Sequence, residues 1–261
     1  MENVNTYSKK ERNMFLTGMF GQNMIYNVVT VGLYYYFQNV ICLPAIAFGW
    51  IFAIARIWDA INDPMMGSIV DKTRTKWGKC RPYLIFSPIV ICVITIAAFF
   101  NGNYANAKAN GNKTAMIFIV AWAAISYVLW GMSYTVGDIP LWGIISRITE
   151  SEKDRSSLIS LSRIIASIGA GLVVISIVAV SQSLNSAFGL DTNAQKGFIV
   201  AAIIITIIGS ALFECAGTGT KERVPNGSET KTMKESFALM WKCKPFRRIL
   251  IADFCVHRCS L

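Results

Sequence analysis

Residues 44–70 read PAIAFGWIFAIARIWDAINDPMMGSIV. The run is apolar and exceeds the roughly 20 residues that cross a bilayer, yet Arg56, Asp59 and Asp63 stand inside it. On an ideal helix at about 100° per residue, Arg56, Asp59, Asn62 and Asp63 share a face of ~120°. A charge at mid-bilayer costs roughly 2.5 to 3.5 kcal/mol on insertion scales, so this stripe must face a polar interior. Two carboxylates four residues apart repel, and at least one needs a cation or a proton. That is the physical requirement of an ion-coupling site. The competing reading is structural: Asp59 with Arg56, and Asp138 with Arg163, as pairs that only lock helices. Two acids beside one Arg still leave one uncompensated.

Outward from this run the same length recurs. Met14 to Phe37 has no charge, Pro82 to Phe100 has none, and Ala115 to Trp142 has only Asp138. Leu158 to Val180 contains only Arg163, and Gly197 to Ala216 only Glu214 near its end. These make six spans, each expected to be a helix because backbone groups in lipid must pair internally. The composition agrees: 54% apolar and 15% charged residues, with a mean hydropathy of +0.46, against ~25% charged in soluble domains. A soluble enzyme, a collagenous chain and a disordered tail are excluded.

The net charge of +10 suggests nucleic acid or a membrane surface, and distribution decides between them. Basic residues crowd the N-terminal segment (Lys9, Lys10, Arg12), residues 72–81, residues 147–155 and everything after residue 220. The opposite side has Lys108, Lys113 and Lys196. By the positive-inside rule both termini are cytoplasmic, and the excess charge orients a multi-pass plasma-membrane protein facing anionic headgroups, with no nucleic acid partner. The first span is too long for a signal sequence and is expected to stay as an anchor. Seven scattered cysteines and one histidine lack zinc spacing and read as reduced apolar filler.

Span four ends Tyr134-Thr135-Val136-Gly137-Asp138-Ile139-Pro140-Leu141-Trp142. Pro140 removes a backbone donor beside Asp138, and Trp142 lies one turn on, on the same face. A carboxylate beside an indole suits a sugar ring, whose faces are apolar and whose rim is polar; Trp142 alone reads equally as an interfacial belt residue.

The run Arg56 to Gly67, with Tyr134-Thr135, Asp138-Ile139-Pro140, Trp142 and Ser162-Arg163-Ile164, resembles the glycoside–pentoside–hexuronide:cation symporters, the melibiose-permease-like family of the major facilitator superfamily. The likeness extends from about Phe15 to Phe246. It implies an all-α integral membrane fold: a six-transmembrane-helix bundle over residues 1–216, the N-terminal half of a twelve-helix protein, moving a sugar with sodium, lithium or a proton by alternating access. It further implies a cation site at Asp59, Asn62, Asp63 and Thr135, with sodium on the two acids, and a sugar site at Asp138, Trp142 and Arg163. Arg56, Asp71, Arg81 and Arg155 would form charge pairs and gates. No cofactor beyond the coupling ion is implied.

Asn23, in Phe20-Gly21-Gln22-Asn23, stands where the family's α-galactoside carrier has a sugar-binding Asp. Asn donates and accepts but brings no charge, which opens the site to another glycoside, a pentoside or a uronide. Residues 217–248 are expected to form a cytoplasmic loop with an amphipathic helix from Thr232 to Trp241. Residues 249–261 read as the start of a seventh helix that stops short, so the chain is expected to be a truncated half lacking the C-terminal six-helix bundle. The alternative function is a non-transporting membrane sensor or scaffold on the same fold. A membrane enzyme is disfavoured, because the buried charges form no metal triad or nucleophile–histidine pair.

Overall fold

The computed structural model describes residues 6–188, 195–224 and 242–244. The chain divides into two units, Met1–Pro225 and Asn226–Leu261. In the second, the described Lys242, Cys243 and Lys244 are exposed. The expected helix from Thr232 to Trp241 and the apolar run from Ile249 lie outside the described residues. All that follows concerns the first unit.

Helix α1 is Lys9–Asn27. Ser8 starts it with a reciprocal cap: Glu11 N–H donates to Ser8 Oγ, and Ser8 N–H donates to Glu11 Oε2 at 2.8 Å, satisfying two N-terminal donors at once. The helical path does not end at Asn27. It continues through π-helical turns at Val28–Leu33 and Tyr36–Val40, and together they make the first expected span. The widening coincides with a β-branched run, Val28 to Val31, whose side chains crowd a regular α-turn. Thr30 Oγ1 also bonds back to the Tyr26 carbonyl at 2.9 Å.

The remaining elements are α2 (Ala45–Lys72), α3 (Arg81–Phe99), α4 (Tyr104–Ala109), α5 (Lys113–Gly143), α6 (Ile145–Ile148), α7 (Glu152–Phe188) and α8 (Gln195–Gly219). Five of these runs are long and apolar enough to cross a membrane, and with α1 and its π-turns they account for the six spans. The protein is a multi-pass membrane protein. The short α4 was not expected. Asn103 caps it by accepting from Asn106 N–H at 3.1 Å, a polar start that the apolar pattern does not register. Pro140 does not interrupt α5, which runs on to Gly143.

Small residues set the packing. A Cβ at Gly21 would run into the Gly209 carbonyl and the Phe213 amide of α8, so the two backbones approach closely, as bilayer helices do where small residues meet. Helix α1 packs on α7 and α8, and α3 sits between α5 and α8. The one substantial helix neighbour of α2 among the described elements is α5. Its other face, including Ile46, Trp50, Ile54, Ile57, Ile61 and Met65, stays exposed.

At the basic end, two consecutive residues after α8, Glu222 and Arg223, tie the bundle together. The Glu222 carboxylate accepts from the backbone N–H groups of Lys79, Cys80 and Arg81 at 3.0, 2.8 and 3.1 Å, capping α3. Arg223 Nη2 donates to both oxygens of Glu11, and its backbone N–H donates to the Arg147 carbonyl at 2.8 Å. At the opposite end, Gln195 Nε2 donates to the Tyr36 hydroxyl and the Asn101 carbonyl.

Candidate functional site

Between α1, α2 and α5 lies a cavity of about 140 Å³, lined by Tyr26, Thr30, Arg56, Asp59, Asp63, Tyr127, Trp130, Tyr134, Thr135 and Asp138, among others. Every charged residue in that wall belongs to a predicted span. The α2 stripe thus faces α5 and not lipid tails alone.

The acidic end is built by α2 against α5. Thr135 Oγ1 donates to Asp63 Oδ1 at 3.0 Å. Its helical neighbour Gly131 makes room for Asp59, since a Cβ there would stand 3.2 Å from Asp59 Oδ1. Arg56 Nη1 lies 3.8 Å from Asp59 Oδ2, with the arginine side chain 67% exposed. This is the structural pairing weighed from sequence, and at that distance and exposure it is worth little. Asp63 has no cationic partner among the described residues. Asn62 stands apart: it is buried, it does not line the cavity, and its Nδ2 has no hydrogen-bond partner. The structure therefore gathers Asp59, Asp63 and Thr135, with Asn62 turned into the helix interface.

At the other end, Asp138 Oδ1 accepts from Trp142 Nε1 at 3.2 Å and from Gln22 Nε2 at 2.7 Å. Gln22 also bonds the Tyr134 hydroxyl. The Arg163 guanidinium sits 4.6 Å above the Trp142 ring, a cation–π geometry. An Asp138–Arg163 ion pair is not present among the described residues. Asn23 Nδ2 donates to Gln22 Oε1 at 2.6 Å and to the Met19 carbonyl, so it reaches Asp138 only through Gln22. Between the two ends, Trp130 and Tyr134 stack at 5.0 Å, and Tyr26 packs at 5.3 Å from Tyr134, giving the cavity an aromatic wall.

Of the residues expected at gates, Asp71 is exposed at the end of α2. Arg81 Nε donates to the Gly217 carbonyl at 3.3 Å, and Arg155 Nη2 to the Thr149 carbonyl at 3.3 Å. Burial and the nearby Glu222 carboxylate push the Cys80 thiol up to about 12, so it stays protonated and inert. The described cysteines are free.

Sequence reasoning did not single out Gln22, Glu222 or the Glu11–Arg223 pair. Gln22 left one signal, an amide in an otherwise apolar span, two percent exposed here. A buried amide without partners is costly, so it had to be bonding something. Glu222 and Arg223 left none, because their partners are distant in sequence.

A helical bundle that lines an internal cavity with carboxylates, a tryptophan and an aromatic wall has the form of a membrane solute carrier. Residues 14–255 match the family of MFS/sugar transport proteins, and the chain belongs to that family, one of transporters and not enzymes. It is 31% identical to the uncharacterized symporter YnaJ of Bacillus subtilis (strain 168), over 85% of this chain and 45% of that protein. It is 28% identical to the isoprimeverose transporter of Lactiplantibacillus pentosus, over 91% of this chain and 46% of that protein. It is 30% identical to a lactose permease of Leuconostoc lactis, over 71% of this chain and 29% of that protein. The chain spans about half the length of the first two.

Proposed function

We propose that this chain forms one six-helix bundle, residues 1–216, of a cation-coupled sugar symporter in the plasma membrane, with its basic end cytoplasmic. A second bundle would close over the site, and residues 217–248 would link the two. The observation that carries the reading is the cavity with Asp59, Asp63 and Thr135 at one end and Asp138 at the other. Two carboxylates and a hydroxyl form a hard-oxygen donor set. No cluster of three or more His, Cys, Asp or Glu occurs among the described residues. That set suits sodium or a proton better than a transition metal. Asn62 would join by a rotation of α2, which would also relieve its unpaired amide.

In this reading the cation neutralises Asp59 and Asp63 and fixes α2 against α5 through Thr135. That holds Asp138 and Trp142 in place. A sugar then presents its apolar face to the Trp142 indole and its hydroxyls to Asp138, Gln22 and Asn23, with Arg163 over the ring. Arg56, Asp71, Arg81 and Arg155 serve as charge pairs and gates between states. Either ligand alone leaves a buried charge uncompensated and resists closure.

Binding of radiolabelled isoprimeverose, lactose or raffinose to the chain in proteoliposomes, titrated with sodium and with acid, tests this. Sugar binding that strengthens with one of the two cations is expected. Sugar binding indifferent to both, or absent for all glycosides, would overturn it.

A further inference from the structure

Away from the cavity, α3, α5 and the turn after α2 enclose a groove of about 400 Å³, lined by Thr73, Thr75, Tyr83, Phe86, Val90 and Val136 among others. Its volume lies within the ~300–1,000 Å³ of small-ligand clefts, but its surroundings change along its length. On α3 it runs from Pro82 to Val90, about 12 Å at 1.5 Å per residue, close to half of a ~30 Å hydrocarbon core. The deep part is mostly apolar, with Phe86, Val90 and Val136 beside the small Ser87 and Ser133. At the mouth, Thr73 Oγ1 and the Tyr83 hydroxyl lie 2.7 Å apart. The rim is cationic: Arg74 and Lys76 are exposed in the turn that carries Thr73 and Thr75. Trp77 stacks on the groove residue Phe86 with centroids 6.4 Å apart, bringing that turn against the groove and setting an indole at the depth where tryptophans anchor.

A cationic rim, a hydroxyl mouth and an apolar shaft one leaflet deep match phosphate, glycerol ester and fatty chain in that order. We propose that this groove seats one acyl chain of an anionic phospholipid from the leaflet at the basic end, with its phosphate held by Arg74 and Lys76. Lipid fits better than a second protein bundle because of where the charges are. Arg56, Asp63 and Arg163 are exposed on α2 and α7, and those faces need a protein cover. The α3 face beside the groove exposes Phe86, Ile89, Val90 and Val93, and residues 82–100 contain no charge.

Native mass spectrometry of the purified 261-residue chain, with phosphatidylglycerol and phosphatidylcholine at equal mole fraction, tests the proposal. Phosphatidylglycerol adducts should exceed phosphatidylcholine adducts by about thirtyfold, the factor that two basic residues near an anionic surface contribute at about 1 kcal/mol each. The double variant R74Q/K76Q should lose the preference, and Val90→Trp should lose both adducts while keeping its thermal midpoint. Equal adducts of the two lipids on the parent chain, or adducts unchanged in a folded Val90→Trp, would overturn it. Should Val90→Trp fail to fold, phosphatidylglycerol carrying a diazirine in mid-chain decides on the parent protein. Crosslinks confined to residues 82–90 and 133–136 support the site, and crosslinks spread evenly over α7 and α8 refute it.

Discussion

Arg223 Nη2 lies 2.8 and 2.7 Å from the two carboxylate oxygens of Glu11, 212 positions away in the chain. The contact is charge-assisted and two-pronged, with the arginine and glutamate side chains 21% and 9% exposed, so it outlasts the screening that weakens surface pairs. Burial pushes the Glu11 carboxyl up, but the bonds from the Ser8 backbone and from Arg223 more than reverse that and leave it below its usual 4.5. A carboxyl lowered by folding adds stability above its unfolded pKa and loses it as pH falls through the folded value.

Glu11→Gln should therefore destabilise the chain at pH 7 by about 2 kcal/mol, the scale of hydrogen bonds to a charged group. Once pH has fallen through the lowered folded value the parent carboxyl is protonated too, and the gap should close. Thermal midpoints in detergent at pH 7.5 and at the acid end of a descending pH series measure it. An equal deficit at both would mean that Glu11 acts by shape and not by charge.

The acidic end of the cavity should respond to sodium independently of sugar. Trp130 lines the same wall, so its fluorescence reports occupancy. Thr135→Val removes the hydroxyl on Asp63 and should raise the sodium Kd about tenfold, near one hydrogen bond to a charged group. Asp63→Asn should abolish the saturable response. A sodium response unchanged in both variants would place the cation elsewhere.

Asp138→Asn should weaken sugar binding by roughly ten- to a hundredfold, the range for a lost charged hydrogen-bond acceptor, while sodium still titrates Trp130. Gln22→Leu should do something different. It removes one donor from Asp138 and leaves Trp142 and Tyr134 to hold it, so sugar affinity should fall and the thermal midpoint should fall with it. Gln22→Glu sets a carboxylate against Asp138 and should bind sugar only at acid pH. Equilibrium dialysis with labelled sugar at several pH values separates the three.

How much of this was visible in the sequence depends on the range of the interaction. The spans, and the polar stripe on α2, were legible because bilayer length and helical period are local properties. Residues Asp59, Asp63, Thr135 and Asp138 were placed in the site by charge inside apolar runs and by family likeness, and the structure brings them to one cavity. Asn62 was grouped with them by helical angle, yet it turns inward, because a ~120° arc on a wheel does not say which edge meets α5. The π-turns after Asn27 and the short α4 were missed, since neither changes the apolar pattern. Glu222 and Arg223 read as tail charges. Their partners, at the start of α3 and in α1, are fixed only once α8 has brought them back to that end of the bundle.

The cap on α3 offers a test of that long-range tie. Gly78 has φ of 112°, where a side chain is strained, and a Cβ there would run into the Glu222 carboxyl. Glu222→Ala strips the acceptor from three backbone N–H groups and should cost about 2 kcal/mol. Gly78→Ala should cost at least as much, because it adds backbone strain and pushes the same carboxylate out of its seat. In the double variant the collision is gone and the cap is lost only once, so the penalties should sum to less than their parts. What remains beyond Glu222→Ala is the strain of alanine at a positive φ, about 1 kcal/mol. Full additivity in thermal melts would mean that Gly78 and Glu222 act separately, and that the glycine is needed for the turn alone.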